Sequence, residues 1–249
     1  MPSKTFNDDT MNIMNTAGNY QFSAVKLEKL GATEYSLVTI VQDNTGSVAG
    51  FKTDMEKCIK TAVEACQKSP RAENLMLRLV KFNTKIEEVH GFKLLGSIDI
   101  KDYDDVLNPD GMTALYDAVH TSIEATKDYG KVLTGQDYLA NAIIFIITDG
   151  MNNAGTYTPT SIKKLVVSVI KEECLESIVI VLVGVGTKAD PNVGPYLDDF
   201  KKEAGINQYV EIDEATPKKL AKLASFISRS VSSTSQALGS GAASSLLNI

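Results

Sequence analysis

Residues 35–47 read YSLVTIVQDNTGS, and this stretch decides the fold. Its first eight residues are rich in β-branched side chains, apolar on both faces, and stop abruptly at Asp43. A strand buried on both faces belongs to a parallel sheet covered by helices on either side, whereas a half-exposed antiparallel strand alternates apolar and polar residues. The residues that follow supply such a helix. From Ser47 to Lys68, the apolar residues Val48, Phe51, Met55, Cys58, Ile59, Ala62, Val63 and Cys66 recur at intervals of three and four, which predicts an amphipathic helix of about five turns.

The same alternation continues along the chain. LMLRLVKF at 75–82 reads as a strand, and KIEEVHGFKLL at 85–95 as one or two more polar strands around a turn at Gly91, placed at a sheet edge by their polarity. Pro109, Asp110 and Gly111 lead into a helix carrying Leu115, Ala118, Val119 and Ile123. AIIFIIT at 142–148 is the most apolar strand and ends at Asp149-Gly150; a helix follows from about Thr160, then the strand SIVIVLVGV at 177–185. A short helix at 195–204, the strand YVEI at 209–212 and a final helix opened by Thr216-Pro217 complete the pattern. The expectation is an α/β fold, Rossmann-like and doubly wound, with a mostly parallel central sheet, one antiparallel edge strand and helices on both faces. The domain spans 34–233. Residues 1–33 form a polar N-terminal arm that lays one short strand on the body, and 234–249 a flexible Ser-rich tail.

Composition narrows the function. The chain of 249 residues is 43% hydrophobic and 22% charged, as in an ordinary globular protein, and its net charge of −6, with no basic run interleaved with aromatics, argues against nucleic-acid binding. The three cysteines form no CxxC and lie in apolar helical patterns, so they read as buried thiols in a reducing compartment. The N-terminus lacks a signal-peptide layout, no apolar run approaches the roughly 18 residues of a membrane span, and the expected location is the cytoplasm. Two histidines are too few for a histidine-rich zinc site; His90 is expected at the surface and His120 partly buried. GVGTKA at 184–189 lacks the third glycine of a dinucleotide loop, and neither GxxxxGK[ST] nor GxSxG occurs.

In doubly wound sheets, ligands bind outside the carboxyl ends of the strands, where the winding direction reverses. There the chain offers Asp43, Thr45 and Ser47 after the first core strand, Thr113 in Gly111-Met112-Thr113 before a helix, and Asp149 in Thr148-Asp149-Gly150. Residues two apart in a tight turn point the same way, so Asp43, Thr45 and Ser47 converge, with Gly46 relaxing the backbone; Thr113 and Asp149 complete the set if the strand at 142–148 lies beside the strand at 35–42. All five are hard oxygen donors, which suits Mg²⁺, with Mn²⁺ and Ca²⁺ as alternatives. So few carboxylates leave a bound ion electrophilic and ready for an outside carboxylate. Asn152 and Asn153 read as a solvated loop, and the acidic run at 99–105 likewise.

The set DxTxS, GMT and TDG, in this order and at the ends of these elements, resembles the von Willebrand factor A domain with its metal-ion-dependent adhesion site, over about residues 34–233. The usual first motif is DxSxS; Thr45 departs from it, keeping the hydroxyl and adding a methyl. The resemblance implies a divalent-metal site, commonly magnesium, with Asp43, Thr45, Ser47, Thr113 and Asp149 as ligands, that holds a Glu or Asp of a partner protein. It also implies, in members that switch, coupling to the last helix, here about 216–233, and an adaptor or scaffold role rather than an enzyme. Two other readings remain. In a Mg²⁺-dependent hydrolase or phosphotransferase, Thr45 stands where an aspartyl nucleophile needs a second carboxylate, and no general base is evident near Thr113. In a structural assembly subunit, the arm and tail make the contacts and the ion stabilises.

Overall fold

The computed structural model describes residues 9–240 and 246–249. Their strands are β1 (Met11–Asn15), β2 (Gln21–Val25), β3 (Glu34–Asp43), β4 (Leu75–Phe82), β5 (Ile86–Leu94), β6 (Leu139–Thr148), β7 (Ile178–Val185) and β8 (Gln208–Ile212), in one sheet of order β1-β2-β5-β4-β3-β6-β7-β8. The helices are α1 (Lys52–Gln67), α2 (Leu115–Thr134), α3 (Pro159–Lys171), α4 (Val193–Ala204) and α5 (Pro217–Ala237). β3 pairs in parallel with β4 on one side and β6 on the other, and β7 and β8 continue in parallel. The chain therefore winds outward from β3 in both directions.

Period-two alternation sends the buried strand residues to two separate cores. Leu37 and Val41 of β3 pack with Ala118, Val119 and Ile123 of α2, and with residues of α3 and α4. Val38 and Ile40 face the other way, onto Met55, Ile59 and Val63 of α1 and Leu220, Leu223 and Ile227 of α5. Each such side chain contributes about 1.5–3 kcal/mol by leaving water, which is why continuous apolar runs commit β3, β6 and β7 to the centre. This is the doubly wound α/β architecture expected.

The β4 side differs in detail. β5 runs antiparallel to β4 as one strand through Gly91, with no turn there, and it is not outermost. The N-terminal arm supplies two strands where one was expected: β1 and β2 form an antiparallel hairpin, and β2 joins β5 in parallel at Ala24 and Phe92. Gly91 is a glycine because β2 passes so closely that a Cβ would collide with the Ser23 carbonyl. The polar residues of β5 serve a buried ion pair. Arg78, fully buried on β4, donates from Nε to Glu88 Oε2 at 2.8 Å and from a terminal nitrogen to the Tyr20 hydroxyl at 2.9 Å, among the rings of Tyr20, Phe22 and Phe92. Ser23 of the hairpin donates its N–H and hydroxyl to Glu88 Oε1.

His90 is not at the surface. It is buried, with Nε2 2.8 Å from the Tyr103 hydroxyl and Nδ1 2.9 Å from the Gly91 carbonyl oxygen, and burial pushes its pKa down to about 4. Tyr103 thereby anchors the acidic segment 99–105, which was expected to be a solvated loop. His120 is half-buried and stacks on Tyr157 with ring centroids 3.7 Å apart. The three cysteines are unpaired and buried, and burial raises the Cys58 and Cys66 thiols to about 12.

The last helix also runs past the expected boundary at 233. Thr234 and Ser235 are buried; the Thr234 carbonyl accepts from Asn141 at 2.7 Å and the Ser235 hydroxyl from Arg71 at 2.9 Å. Beyond it, the Leu247 carbonyl accepts from Gln208 Nε2 at 2.7 Å. Residues 1–8 of the arm and 241–245 of the tail lie outside the described residues. No helix among the described residues is long and apolar enough to cross a membrane.

The ion pair yields a contrast. Glu88→Ala leaves Arg78 buried without its counter-charge and is expected to cost about 3–5 kcal/mol in urea unfolding, whereas Glu87→Ala, removing an exposed partner of Lys81, costs under about 1 kcal/mol. Equal losses would show that the hairpin does not depend on the pair.

Candidate metal centre

Asp43 is the last residue of β3, and the alternation that sends Val41 toward α2 sends Asp43 to the same face, fully buried. The register of β3 on β6 sets it beside Thr148, whose hydroxyl donates to Asp43 Oδ2 at 2.6 Å. The chain then turns, and the Thr45 N–H donates to Asp43 Oδ1 at 2.8 Å. Thr45 is extended and precedes a short 3-10 turn, Gly46–Phe51, that feeds α1. The Thr45 and Ser47 hydroxyls are 2.9 Å apart, and Ser47 Oγ donates to Asp149 Oδ1 at 2.8 Å. One chain of hydrogen bonds thus joins the end of β3 to the end of β6. Gly46 contributes less than expected: its φ is not positive, and a Cβ there would meet open space.

Thr113 arrives on a loop fastened from below. Asn44 accepts from the Asn108 N–H through Oδ1 at 2.8 Å, donates to the Asn108 carbonyl at 3.0 Å, and accepts from the Asp110 N–H on its own carbonyl at 3.0 Å. Gly111 turns the loop with φ +77°, beyond reach of most side chains, and the Met112 N–H then donates to Thr84 Oγ1 at 3.1 Å. The N-cap of α2 is Ala114, without a side-chain cap, so the Thr113 hydroxyl is not used for capping. It faces the Asp149-Gly150 segment instead, where a Cβ placed on Gly150 would lie 3.9 Å from Thr113 Oγ1.

Asn152 and Asn153 are braces, not a solvated loop. Asn153 Oδ1 accepts from the Thr113 N–H at 2.7 Å while its own N–H donates to the Thr113 carbonyl at 3.0 Å, and Asn152 Oδ1 accepts from the Tyr116 N–H at 3.0 Å. Tyr196 of α4 accepts from the Asn152 N–H at 3.2 Å, and Asp117 accepts from the Thr156 and Tyr157 N–H groups at 2.8 Å each. Asn44, Thr84, Asp117 and Tyr196 were not foreseen as part of the site. Only Asn44 carried a signal, by lying inside the DNTGS segment.

The electrostatics define what such a set does. Burial raises the Asp43 carboxyl pKa above the ordinary range, against the opposing hydrogen bonds of Thr148 and Thr45. Burial, followed by the negative charge of Asp43, pushes Asp149 up to about 6. The groups that hold these two carboxylates are hydroxyls and backbone N–H groups, none carrying a positive charge. Two mutually repelling carboxylates with hydroxyl neighbours form an all-oxygen donor set, and that chemistry fits a hard divalent cation. Among the described residues no cluster of three or more His, Cys, Asp or Glu could hold a metal, so a site here depends on Thr45, Ser47 and Thr113 beside its two carboxylates.

No family model matches the sequence, and no curated protein matches it. Solved structures do resemble the fold. They include the PilB minor pilin from Streptococcus sanguinis, with a TM-score of 0.54 at 18% identity over 84% of this chain and 64% of the pilin. Proximal thread matrix protein 1 from the mussel byssus gives 0.52 at 17% over 79% of this chain and 45% of that protein, and its form with a zinc-occupied MIDAS motif, the metal-ion-dependent adhesion site, gives 0.50 at 19% over 80% and 46%. This chain spans less than two thirds of the length of each. The fold is von Willebrand factor A-like.

Without a cation, Asp149 carries a folded-state pKa of about 6, above the roughly 3.9 of an unfolded chain. The folded protein then binds more protons than the unfolded one between those values, so the contribution of Asp149 to stability falls as pH rises through that window. Near neutral pH in chelator, Asp149→Asn is expected to melt above the wild type, the gap closing toward pH 4, and millimolar divalent cation reverses the order. Asp149→Asn melting below the wild type in chelator would contradict this.

Proposed function

We propose that this protein is a divalent-metal-dependent binding module, an adaptor or scaffold in which Asp43, Thr45, Ser47, Thr113 and Asp149 hold a Mg²⁺-type ion that recognises an acidic side chain of a partner protein. The observation that carries this reading is the pair Asp43 and Asp149: two carboxylates bridged through Thr45 and Ser47, both with raised pKa values and held only by uncharged groups. When bound, the ion supplies an electrophilic position that an outside carboxylate fills. Asp43, locked by Thr148 and the Thr45 N–H, fixes the inner side of the site. Ser47 is exposed and Asp149 half-buried, so the site opens toward solvent. The hydroxyls add oxygen atoms without charge, leaving an ion of two positive charges balanced by two carboxylates and able to accept a third.

Similar structures support the reading: the byssus protein described with a zinc-occupied MIDAS motif and the PilB minor pilin. Compact, hydroxyl-rich coordination favours Mg²⁺ over Ca²⁺. The role is read as non-enzymatic because Thr45 occupies the position where phosphoryl transfer through an aspartate places a second carboxylate. Three buried, unpaired cysteines support a cytoplasmic setting.

The test is a Mg²⁺ titration by calorimetry and thermal shift. An ion that binds only the native state adds about 2.7 kcal/mol at a concentration of 100 times its Kd; the wild type is expected to show such a gain and Asp43→Ala none. Carboxylate-dependent association that survives both chelation and Asp43→Ala would overturn the reading.

A further inference from the structure

The two residues that flank the candidate ligands at the mouth of the site, Met112 and Met151, are exposed, at 53% and 36%. Met112 immediately precedes Thr113, and Met151 immediately follows Gly150; Thr113 Oγ1 and Gly150 face each other. The other strongly exposed large apolar residues include Ile13 on β1 and Val167 and Ile170 on α3, away from these loops.

The backbones that carry the methionines are fixed. The Met112 N–H is held by Thr84, and Met151 is followed by Asn152, whose amide and side chain are both bonded. The thioether side chains above these fixed backbones adapt to an apolar partner, and little backbone entropy is lost when they do. Charge sharpens the choice. The loop segments 44–51, 108–114 and 148–155 contain no lysine or arginine, and their only charged residue besides Asp149 is Asp110, which is exposed. Within these segments a cluster of acids meets only the like charge of Asp110, with Lys85 as the exposed cation on the adjoining turn that holds Met112 through Thr84, whereas large apolar groups find the two methionines.

We propose that Met112 and Met151 select the partner: the site takes a single Glu or Asp flanked by large apolar side chains, not an acidic run. This rests on the carboxylate-recognition reading above.

The experiment measures binding of short labelled peptides with one central Glu, flanked by Leu, by Ser or by Asp, in Mg²⁺ and in chelator. It compares the wild type, Met112→Ser/Met151→Ser and Met112→Leu/Met151→Leu, with the Mg²⁺ thermal shift as a control that the site is intact. The wild type is expected to bind the Leu-flanked peptide about tenfold more tightly than the Ser-flanked one. That preference is expected to fall to about twofold or less in the serine variant and to persist in the leucine variant, with the thermal shift unchanged in both. Chelator-sensitive binding that is equal for Leu and Ser flanks, strongest for Asp flanks, or still Leu-selective in the serine variant overturns this proposal and leaves the metal-dependent reading intact. Absence of any Mg²⁺-dependent peptide binding overturns both.

Discussion

The fully buried carboxylate of Asp43, at the carboxyl end of the middle strand, is the constraint around which the rest of the site is organised. Removing a carboxylate from water costs several kcal/mol unless its charge is met. The Thr45 N–H and the Thr148 hydroxyl satisfy its lone pairs but bring no positive charge, and Asp149 nearby adds a second negative one. Such a pair is stable with a proton or with a cation, and in the proposed metal site the hydroxyls of Thr45, Ser47 and Thr113 serve the second state.

The topology makes this arrangement possible. Because β4 and β6 lie on opposite sides of β3, loops from both directions of winding meet above Asp43. They are tied there by amides more than by charges: Asn44 holds the loop before Thr113, and Asn152 and Asn153 hold the loop after Asp149 against the start of α2. Neutral fasteners fix the oxygen atoms without cancelling the negative charge at the centre, as the proposed cation site requires. Side chains that do not hold the backbone, above all Met112 and Met151, remain at the surface and free to adapt.

The same physics explains what the sequence disclosed. β3, β6 and β7 are legible because strands buried on both faces must be apolar throughout, and the candidate ligands are legible because the spacing of Asp43, Thr45 and Ser47 and the positions of Asp149 and Thr113 at element ends are local features. The polar residues of β5 were misleading because a buried ion pair and a solvent-facing edge leave the same trace in one strand; Glu88 meets Arg78 on β4, and also Ser23, whose interaction spans 65 residues of chain. Gly91 looked like a turn for a related reason, since the steric cause, the Ser23 carbonyl, is equally remote. Asn152 and Asn153 resembled solvated loop residues until their partners 36 and 40 residues earlier were known. At the other terminus, Ser and Thr weaken helix propensity, yet Thr234 and Ser235 stay helical because tertiary burial outweighs it.

The most direct test of the central claim is anomalous diffraction from crystals grown with Mn²⁺, which takes the same hard-oxygen sites as Mg²⁺ and is visible by its own scattering. The account predicts one strong peak among the oxygens of Asp43, Thr45, Ser47, Thr113 and Asp149. A peak elsewhere on the surface, with Ser47 still hydrogen-bonded to Asp149, would contradict it.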